Sequence, residues 1–310
     1  MAQSSVLRIG SRGSPLALVQ ARAVRDRLAA AHGVDAERIV IEAIRTTGDR
    51  IQDRPLAEAG GKGLFTKEIE DALLAGTIDL AVHSAKDVPT VLPPGLLLSA
   101  FLPREDARDV FISRKARTLA DLAAGAAVGT ASLRRQAMVK RLRPDLAVIT
   151  FRGNVETRLR KLDEGQADAT LLALAGLKRL GLADIALTIL SVDEFLPAVG
   201  QGAIAIETRA DDAATRALVA AVDDADTACA LAAERAFLAV LDGSCRTPIG
   251  GHATLAGDRL HFRGLIVRPD GSEAHEATRT GTRAQAAALG ADAGHELKSR
   301  AGENFFAEDL

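Results

Sequence analysis

Three kinds of stretch in this chain carry residue types that could do chemistry. LDGSCRTPIG (241–250) holds one thiol, Cys245, beside Arg246, with Gly243 and Gly250 around it and Pro248 barring a continued helix. Such a thiol can be accessible and lean towards thiolate. It can equally be a small residue packed into a turn, since cysteine is among the most buried types. HSAKDVPT (83–90) sets a hydroxyl, a cation and a carboxylate, Ser84, Lys86 and Asp87, at the end of an apolar strand. Open α/β sheets bind ligands at such ends, although a solvated Lys86–Asp87 pair alone would be worth almost nothing. The third kind is the basic helix start. In VGTASLRRQ, Ser132 is an N-cap with Arg134 and Arg135 in the first turn; in FRGNVETR, Asn154 is the cap with Arg152 and Arg158 around it. Cations there oppose the helix dipole, and an anion held between amides and guanidiniums would remove the conflict. Lys178 and Arg179 add another basic pair. GSRGSP places Arg12 before a helix capped by Ser14 and opened by Pro15, either an anion site or an ordinary β–α connection.

The elements that must position these residues alternate in type. Strands are expected at 6–9, 39–44 and 78–84, with helices at 15–31 and 66–75. Residues 92–108, with three prolines, are expected to leave a first domain. A second unit repeats the alternation: strands 109–113, 126–130, 146–151 and 169–174, helices 132–142, 154–163 and 176–181. AVGQGAIAIE (198–207) is a glycine-hinged strand that could return the chain to the first domain. Helices at 212–222 and 227–241, a hairpin around Gly257-Asp258 and a helix at 283–300 follow. Cys229 falls on the apolar face of a helix and reads as core. The Gly- and charge-rich segment 46–64 reads either as a lid carrying Lys62 or as a surface loop.

Composition narrows the classes. The chain has 310 residues, enough for two or three domains, and at 47% hydrophobic it can bury a sizeable core. Net charge is −2, and Trp and Tyr are absent, which argues against nucleic-acid binding. Two cysteines give neither a disulfide framework nor a metal motif, and the six histidines are scattered, so no metal is expected. No apolar run approaches transmembrane length and the first residues lack a signal core, so a cytoplasmic protein is expected. The basic residues are 31 arginines against 8 lysines, and arginine suits bidentate carboxylate or phosphate recognition.

Taken in order, HSAKDVPT, VGTASLRRQ, FRGNVETRL, LALAGLKRLG (172–181), AVGQGAIAIE and GSCRTPIG, with RIGSRGSPLALVQA near the start and GGKGLFTKEIEDALL (60–74), resemble the porphobilinogen deaminase family essentially end to end. Ala205 stands where glycine is expected, and Arg246-Thr247 fall where the family varies. The resemblance implies two doubly wound α/β domains similar to periplasmic binding proteins and a small α+β third domain. Their expected extents are 1–102 with 203–222, then 107–197, then 225–310.

It also implies a transferase that joins four porphobilinogen molecules head to tail with loss of ammonia, then releases linear hydroxymethylbilane by hydrolysis. The implied cofactor is a dipyrromethane primer, bound by a thioether to Cys245. Asp87 is then the catalytic carboxylate. Lys86, Ser84, Ser132, Arg134, Arg135 and Asp87 itself would hold the cofactor. Arg12, Ser14, Lys62, Phe65, Arg152, Arg158, Arg179, Gln201 and Gly202 would hold substrate. Six pyrrole rings bring twelve carboxylates, which explains so many cations. A monomer with porphobilinogen as its small-molecule partner, no nucleic acid and no membrane is implied. A reading from another class, a receptor for a small carboxylate, explains the arginines but neither Asp87 among them nor the loop thiol.

Overall fold

The computed structural model describes residues 7–48, the backbone of 49–50, and residues 63–186, 188–242, 247–302 and 305–306. The expected Lys62, Cys245 and Arg246, and most of the segment 46–64, lie outside the described residues. In chain order the elements are β1 (Leu7–Arg12), α1 (Pro15–His32), β2 (Ile39–Ile44), α2 (Thr47–Arg50), α3 (Lys67–Leu74), β3 (Leu80–Ser84) and β4 (Leu96–Phe101). Next come β5 (Asp109–Ser113), β6 (Ala127–Gly129), α4 (Leu133–Leu142), β7 (Ala147–Ile149), α5 (Val155–Asp163), β8 (Ala169–Ala173), α6 (Leu174–Arg179) and β9 (Thr188–Ile189). The last group is β10 (Ile204–Arg209), α7 (Ala213–Ala220), α8 (Ala225–Val240), β11 (Ile249–Ala256), β12 (Arg259–Val267), β13 (Ala274–Thr282) and α9 (Ala286–Ala301).

The chain forms two compact units. One is built from the described residues up to Glu105 together with Ala203–Ala228, the other from Asp106–Gly202 and the described residues from Cys229 onward. The first unit holds a sheet in the order β2-β1-β3-β10-β4, with β2, β1 and β3 parallel and β10 antiparallel to both its neighbours. Apolar residues fill both faces. Ile9, Leu80, Val82, Ile204 and Ile206 pack with Val24 and Leu28 of α1, while Ala81 and Leu96 pack with Ile69 and Leu73 of α3. Strands buried on both sides are what a doubly wound sheet requires.

The second unit holds a sheet in the order β7-β6-β8-β5-β9, parallel in β7, β6 and β8 and antiparallel at β5. Phe111, Val128 and Leu171 face Ala137, Met138 and Val139 of α4, and Val110, Ile112 and Leu172 face Leu162 of α5 and Leu177 of α6. The same unit contains the antiparallel sheet β11-β12-β13. Phe237 of α8 packs on Phe262 of β12 with ring centroids 5.1 Å apart. The α8–α9 contact needs Gly290, where a Cβ would fall 1.9 Å from the Ala233 carbonyl oxygen.

The α/β class and the order of the main elements follow the sequence reading; besides the short α2 and β9, which it did not expect, three differences are informative. Residues 92–108 do not simply leave the first domain: after Pro93 and Pro94 the chain makes β4, whose register with β10 puts Leu96 opposite Arg209. The 198–207 segment becomes a strand only from Ile204, because Gly200 (φ 72°) and Gly202 (φ 90°) form a turn first. The hairpin around Gly257 gains a third strand, β13, whose polar edge sequence gives a weak strand signal. No helix among the described residues is long and apolar enough to cross a membrane.

Candidate functional site

In the first unit the informative residues lie at the carboxyl ends of adjacent parallel strands. β1 ends in Arg12, and α1 begins under the Ser14 cap, whose hydroxyl accepts from Ala17 N at 3.3 Å. The Arg12 guanidinium lies 4.2 Å from the centre of the Phe65 ring, a cation–π contact. Phe65 is in turn seated on Gly48, where a Cβ would come within 2.3 Å of the ring. Two residues expected in substrate binding, Arg12 and Phe65, are thus brought together.

β3 ends at Ser84 and runs into a single 3₁₀ turn, Ala85–Asp87, because Pro89 and the extended Val88 stop a longer helix. Ala85 N donates to Ala203 O at 3.0 Å, which ties this turn to the start of β10. Lys86 and Asp87 are half-buried. The Ser84 hydroxyl meets the Gln20 side-chain amide, with the amide nitrogen at 2.9 Å and the amide oxygen at 3.1 Å. Gln20, on α1 and 3% exposed, is a positioning group that the sequence reading missed. Its signal was an amide in the middle of an otherwise apolar helix face.

The second unit repeats the placement with cations. Ser132 caps α4, accepting from Arg135 N at 3.4 Å, and Asn154 caps α5, accepting from Thr157 N at 2.8 Å. Arg134 and Arg135 are only 3% and 5% exposed. Both bind Asp109, the first residue of β5: Arg134 Nη2 reaches Oδ2 at 2.7 Å and Arg135 Nη2 reaches Oδ1 at 2.7 Å. Arg134 also donates to Leu196 O at 2.7 Å, and Arg135 to Leu171 O at 2.9 Å. Burial alone would raise the Asp109 pKa, but the two guanidinium charges outweigh it and hold the carboxyl well below the usual range. The dipole conflict at the start of α4, which the sequence suggested a ligand anion would relieve, is met here by a carboxylate of the protein. Asp109 was not singled out in the sequence.

One carboxylate does not offset all of this charge. Arg158 is half-buried, donates from Nε to Gly153 O at 2.9 Å, and feels Arg135 and Arg152 as like charges. Burial first, and those two cations next, lower its pKa to about 10. Arg134 keeps a buried Nε with no hydrogen-bond partner among the described residues. Arg152 follows Phe151, whose ring is seated on Gly129 at the end of β6, where a Cβ would approach to 2.5 Å. Arg179 donates from Nη2 to Gly202 O at 2.7 Å, and Gln201 Nε2 donates to Ala107 O at 2.7 Å and to Asp109 Oδ1 at 2.9 Å. The expected substrate ligands Arg179 and Gly202 are therefore bonded to each other, and Gln201, next to Gly202, is bonded to the segment around Asp109.

By fold and residue placement this is an α/β protein with cations and one carboxylate at its strand ends, an arrangement suited to handling anions. Residues 7–217 match the family model for the porphobilinogen deaminase dipyromethane cofactor binding domain, and residues 228–299 match that for the porphobilinogen deaminase C-terminal domain. The chain belongs to the porphobilinogen deaminase family. It is 71% identical over 298 residues to the porphobilinogen deaminase of Nitrobacter winogradskyi, covering 96% of this chain and 94% of that one. Its identity to the Paracoccus denitrificans protein of the same name is 58% over 300 residues, with 97% and 96% covered. Among solved structures it is similar to the VFT2 domain of Bordetella pertussis BvgS (18% identity, 72% of this chain and 88% of that one, TM-score 0.43). It is also similar to a periplasmic substrate-binding protein of a Coxiella burnetii ABC transporter (15%, 70% and 91%, TM-score 0.43).

Proposed function

We propose that this chain is a porphobilinogen deaminase that condenses four porphobilinogen molecules, each with loss of ammonia, and releases hydroxymethylbilane by hydrolysis of its bond to the primer, with water supplying the hydroxyl. The observation that carries the reading in the structure is Arg158, a half-buried guanidinium bonded to Gly153 O whose neighbouring charges, Arg135 and Arg152, are both positive. Such a group is stable at neutral pH only at an electrostatic cost, which a bound carboxylate would offset. The buried Nε of Arg134 adds a donor with no acceptor among the described residues. These residues suit a dipyrromethane with its acetates and propionates. When bound, through Cys245, that group would supply the primer to which substrate units are joined.

Arg134, Arg135, Ser132, Ser84 and Lys86 are the proposed ligands of the cofactor carboxylates. Arg12, Ser14, Lys62, Phe65, Arg152, Arg158, Arg179, Gln201 and Gly202 are the proposed substrate ligands. The main chemical role falls to Asp87, which we also place at the cofactor. Each condensation forms one carbon–carbon bond, breaks the aminomethyl carbon–nitrogen bond to release ammonia, and expels the α-hydrogen of the receiving ring as a proton. The pyrrole nitrogen becomes cationic as the bond forms. The Asp87 carboxylate accepts a hydrogen bond from that N–H, stabilises the charge, and helps move the proton. Phe65 steadies the Arg12 cation, and Gln20 fixes the Ser84 hydroxyl three residues before the carboxylate. The three-domain division 1–102 with 203–222, 107–197 and 225–310, a monomeric state and a cytoplasmic location complete the proposal.

Intact mass of the denatured chain, paired with ammonia release from porphobilinogen, tests this reading. The expected mass exceeds the bare polypeptide by a dipyrromethane, and the excess disappears in Cys245→Ser. An active preparation with the bare polypeptide mass contradicts the attachment.

A further inference from the structure

Glu234 lies within α8 with its side chain fully buried. One carboxylate oxygen, Oε2, accepts from Gly200 N at 2.7 Å; the other, Oε1, accepts from Ala253 N at 2.8 Å. Taking a carboxylate out of water is costly, and here the cost is offset by two buried hydrogen bonds that an apolar side chain could not make. The carboxylate therefore does something packing alone would not: it clamps two backbone segments from different elements onto one helix. Ala253 belongs to β11, the strand that follows Cys245 in the sequence. Gly200 opens the turn that precedes β10.

That turn is bonded on all sides to residues of the same unit. Gln201, adjacent to Gly200, reaches Ala107 O and Asp109 Oδ1. Asp109 holds the guanidiniums of Arg134 and Arg135. Arg134 donates back to Leu196 O, Gly251 N of β11 donates to Pro197 O at 2.9 Å, and Arg179 donates to Gly202 O. A Cβ on Gly250 or Gly251 would press on Pro197 O at 3.3 Å or on Val199 at 2.8 Å, so β11 and this segment are also in close steric contact. One continuous chain of buried contacts thus runs from β11 through Glu234, Gly200, Gln201 and Asp109 to the arginine pair.

We propose that Glu234 is a positioning residue for cofactor attachment. It sets the arginine pair at the start of α4 in register with β11, the strand that begins four residues after Cys245 in the sequence. The proposal rests on the reading above, in which Cys245 carries the cofactor and Arg134 and Arg135 hold its carboxylates. A covalent group gripped at both its thioether and its carboxylates needs both anchors fixed to one frame. The two bonds of Glu234 go to backbone N–H groups of Gly200 and Ala253, so its loss acts through the frame.

Glu234→Gln keeps the shape but turns an amide nitrogen towards one of two N–H donors. Full-length wild type, Glu234→Gln, Gln201→Met and the double variant are compared by thermal midpoint, by intact mass of the soluble folded chains, and by KM and kcat. A donor left without its acceptor is a loss of about fivefold or more in the governing equilibrium. The expected result is that the cofactor-bearing fraction of folded Glu234→Gln falls about fivefold or more. The double variant should then lose little more than the worse single one, as links in one chain do. An unchanged cofactor-bearing fraction in folded Glu234→Gln, with only the midpoint lowered, overturns the proposal. So does a double variant whose losses multiply. If Glu234→Gln fails to fold, Gln201→Met decides, and normal loading in it overturns the proposal. A wild type that is active at the bare polypeptide mass removes the reading itself, and the proposal falls with it.

Discussion

The strand order β2-β1-β3-β10-β4 of the first unit is repeated in the second as β7-β6-β8-β5-β9, with the antiparallel strand in the same fourth place. Each fourth strand buries a carboxylate, and the two are treated differently. Asp109 begins β5, opposite Ala173 at the end of β8, and two guanidiniums neutralise it. Glu207 lies deeper in β10, opposite Ala81, and meets one imidazole, His83 Nε2, at 3.0 Å. Glu70 of α3 feels its charge; burial first, and Glu207 among the nearby groups, raise the Glu70 pKa. Buried oxygens of Glu70 and Glu207 have no hydrogen-bond partner among the described residues. The strand ends differ as well. β3 runs into Asp87, whereas the equivalent β8 runs into a helix ending in Lys178 and Arg179. One topology thus supports two specialisations: the first unit presents a carboxylate, and the second concentrates positive charge on an internal acidic pin.

Breaking the pin should have the largest effect on stability. Asp109→Asn leaves Arg134 and Arg135 buried without their counter-charge, and such losses cost about 3–5 kcal/mol. Urea unfolding at neutral pH measures it; a cost within error of zero would show that the guanidiniums find other partners. Because the Asp109 pKa is depressed, its stabilisation is full above its unfolded value of about 3.9 and is lost as pH falls towards the folded one. The variant should therefore flatten the acid limb of the stability profile.

This pin also marks the limit of what the sequence discloses. Caps at Ser14, Ser132 and Asn154 are local and were readable, since a side chain and the amide three residues on form a sequence pattern. Asp109 stands 25 and 26 positions from its two arginines, and His83 stands 124 from Glu207, so no spacing announces either pair. The arginines themselves were legible as a basic cluster, but their division between an internal partner and a ligand depends on which strand is fourth in the sheet. The order of strands is a tertiary fact. β4 was obscured for a related reason: an edge strand beginning just after two prolines reads locally as linker.

Arg158→Gln should separate binding from stability in the second unit. Losing a charged hydrogen-bond donor to a carboxylate costs about 1.5–3 kcal/mol, which in steady-state kinetics is a rise in KM of about ten- to a hundredfold. The urea midpoint should hold or rise, because a cation enclosed beside Arg135 and Arg152 is gone. A fall in midpoint with unchanged KM would make Arg158 structural.

The smallest effect belongs to the first unit's carboxylate pair. Because the Glu70 pKa is raised, its contribution is full below its unfolded value of about 4.3 and is lost as pH rises through the folded value. Glu70→Gln should remove that decline, so unfolding midpoints of wild type and variant diverge upward of pH 4 in the variant's favour. Parallel profiles would show that Glu70 keeps an ordinary proton affinity. The sign is opposite to that expected at Asp109, and the two profiles together test whether the sheets treat their carboxylates differently.

In the proposed mechanism the chemistry resides on the first unit's strand end while the second unit holds charge. Turnover of Asp87→Asn, measured with the intact mass of the same preparation, tests it most directly. kcat should fall about 10²–10⁴-fold with the dipyrromethane mass retained. Near-normal turnover in the cofactor-bearing variant would contradict it.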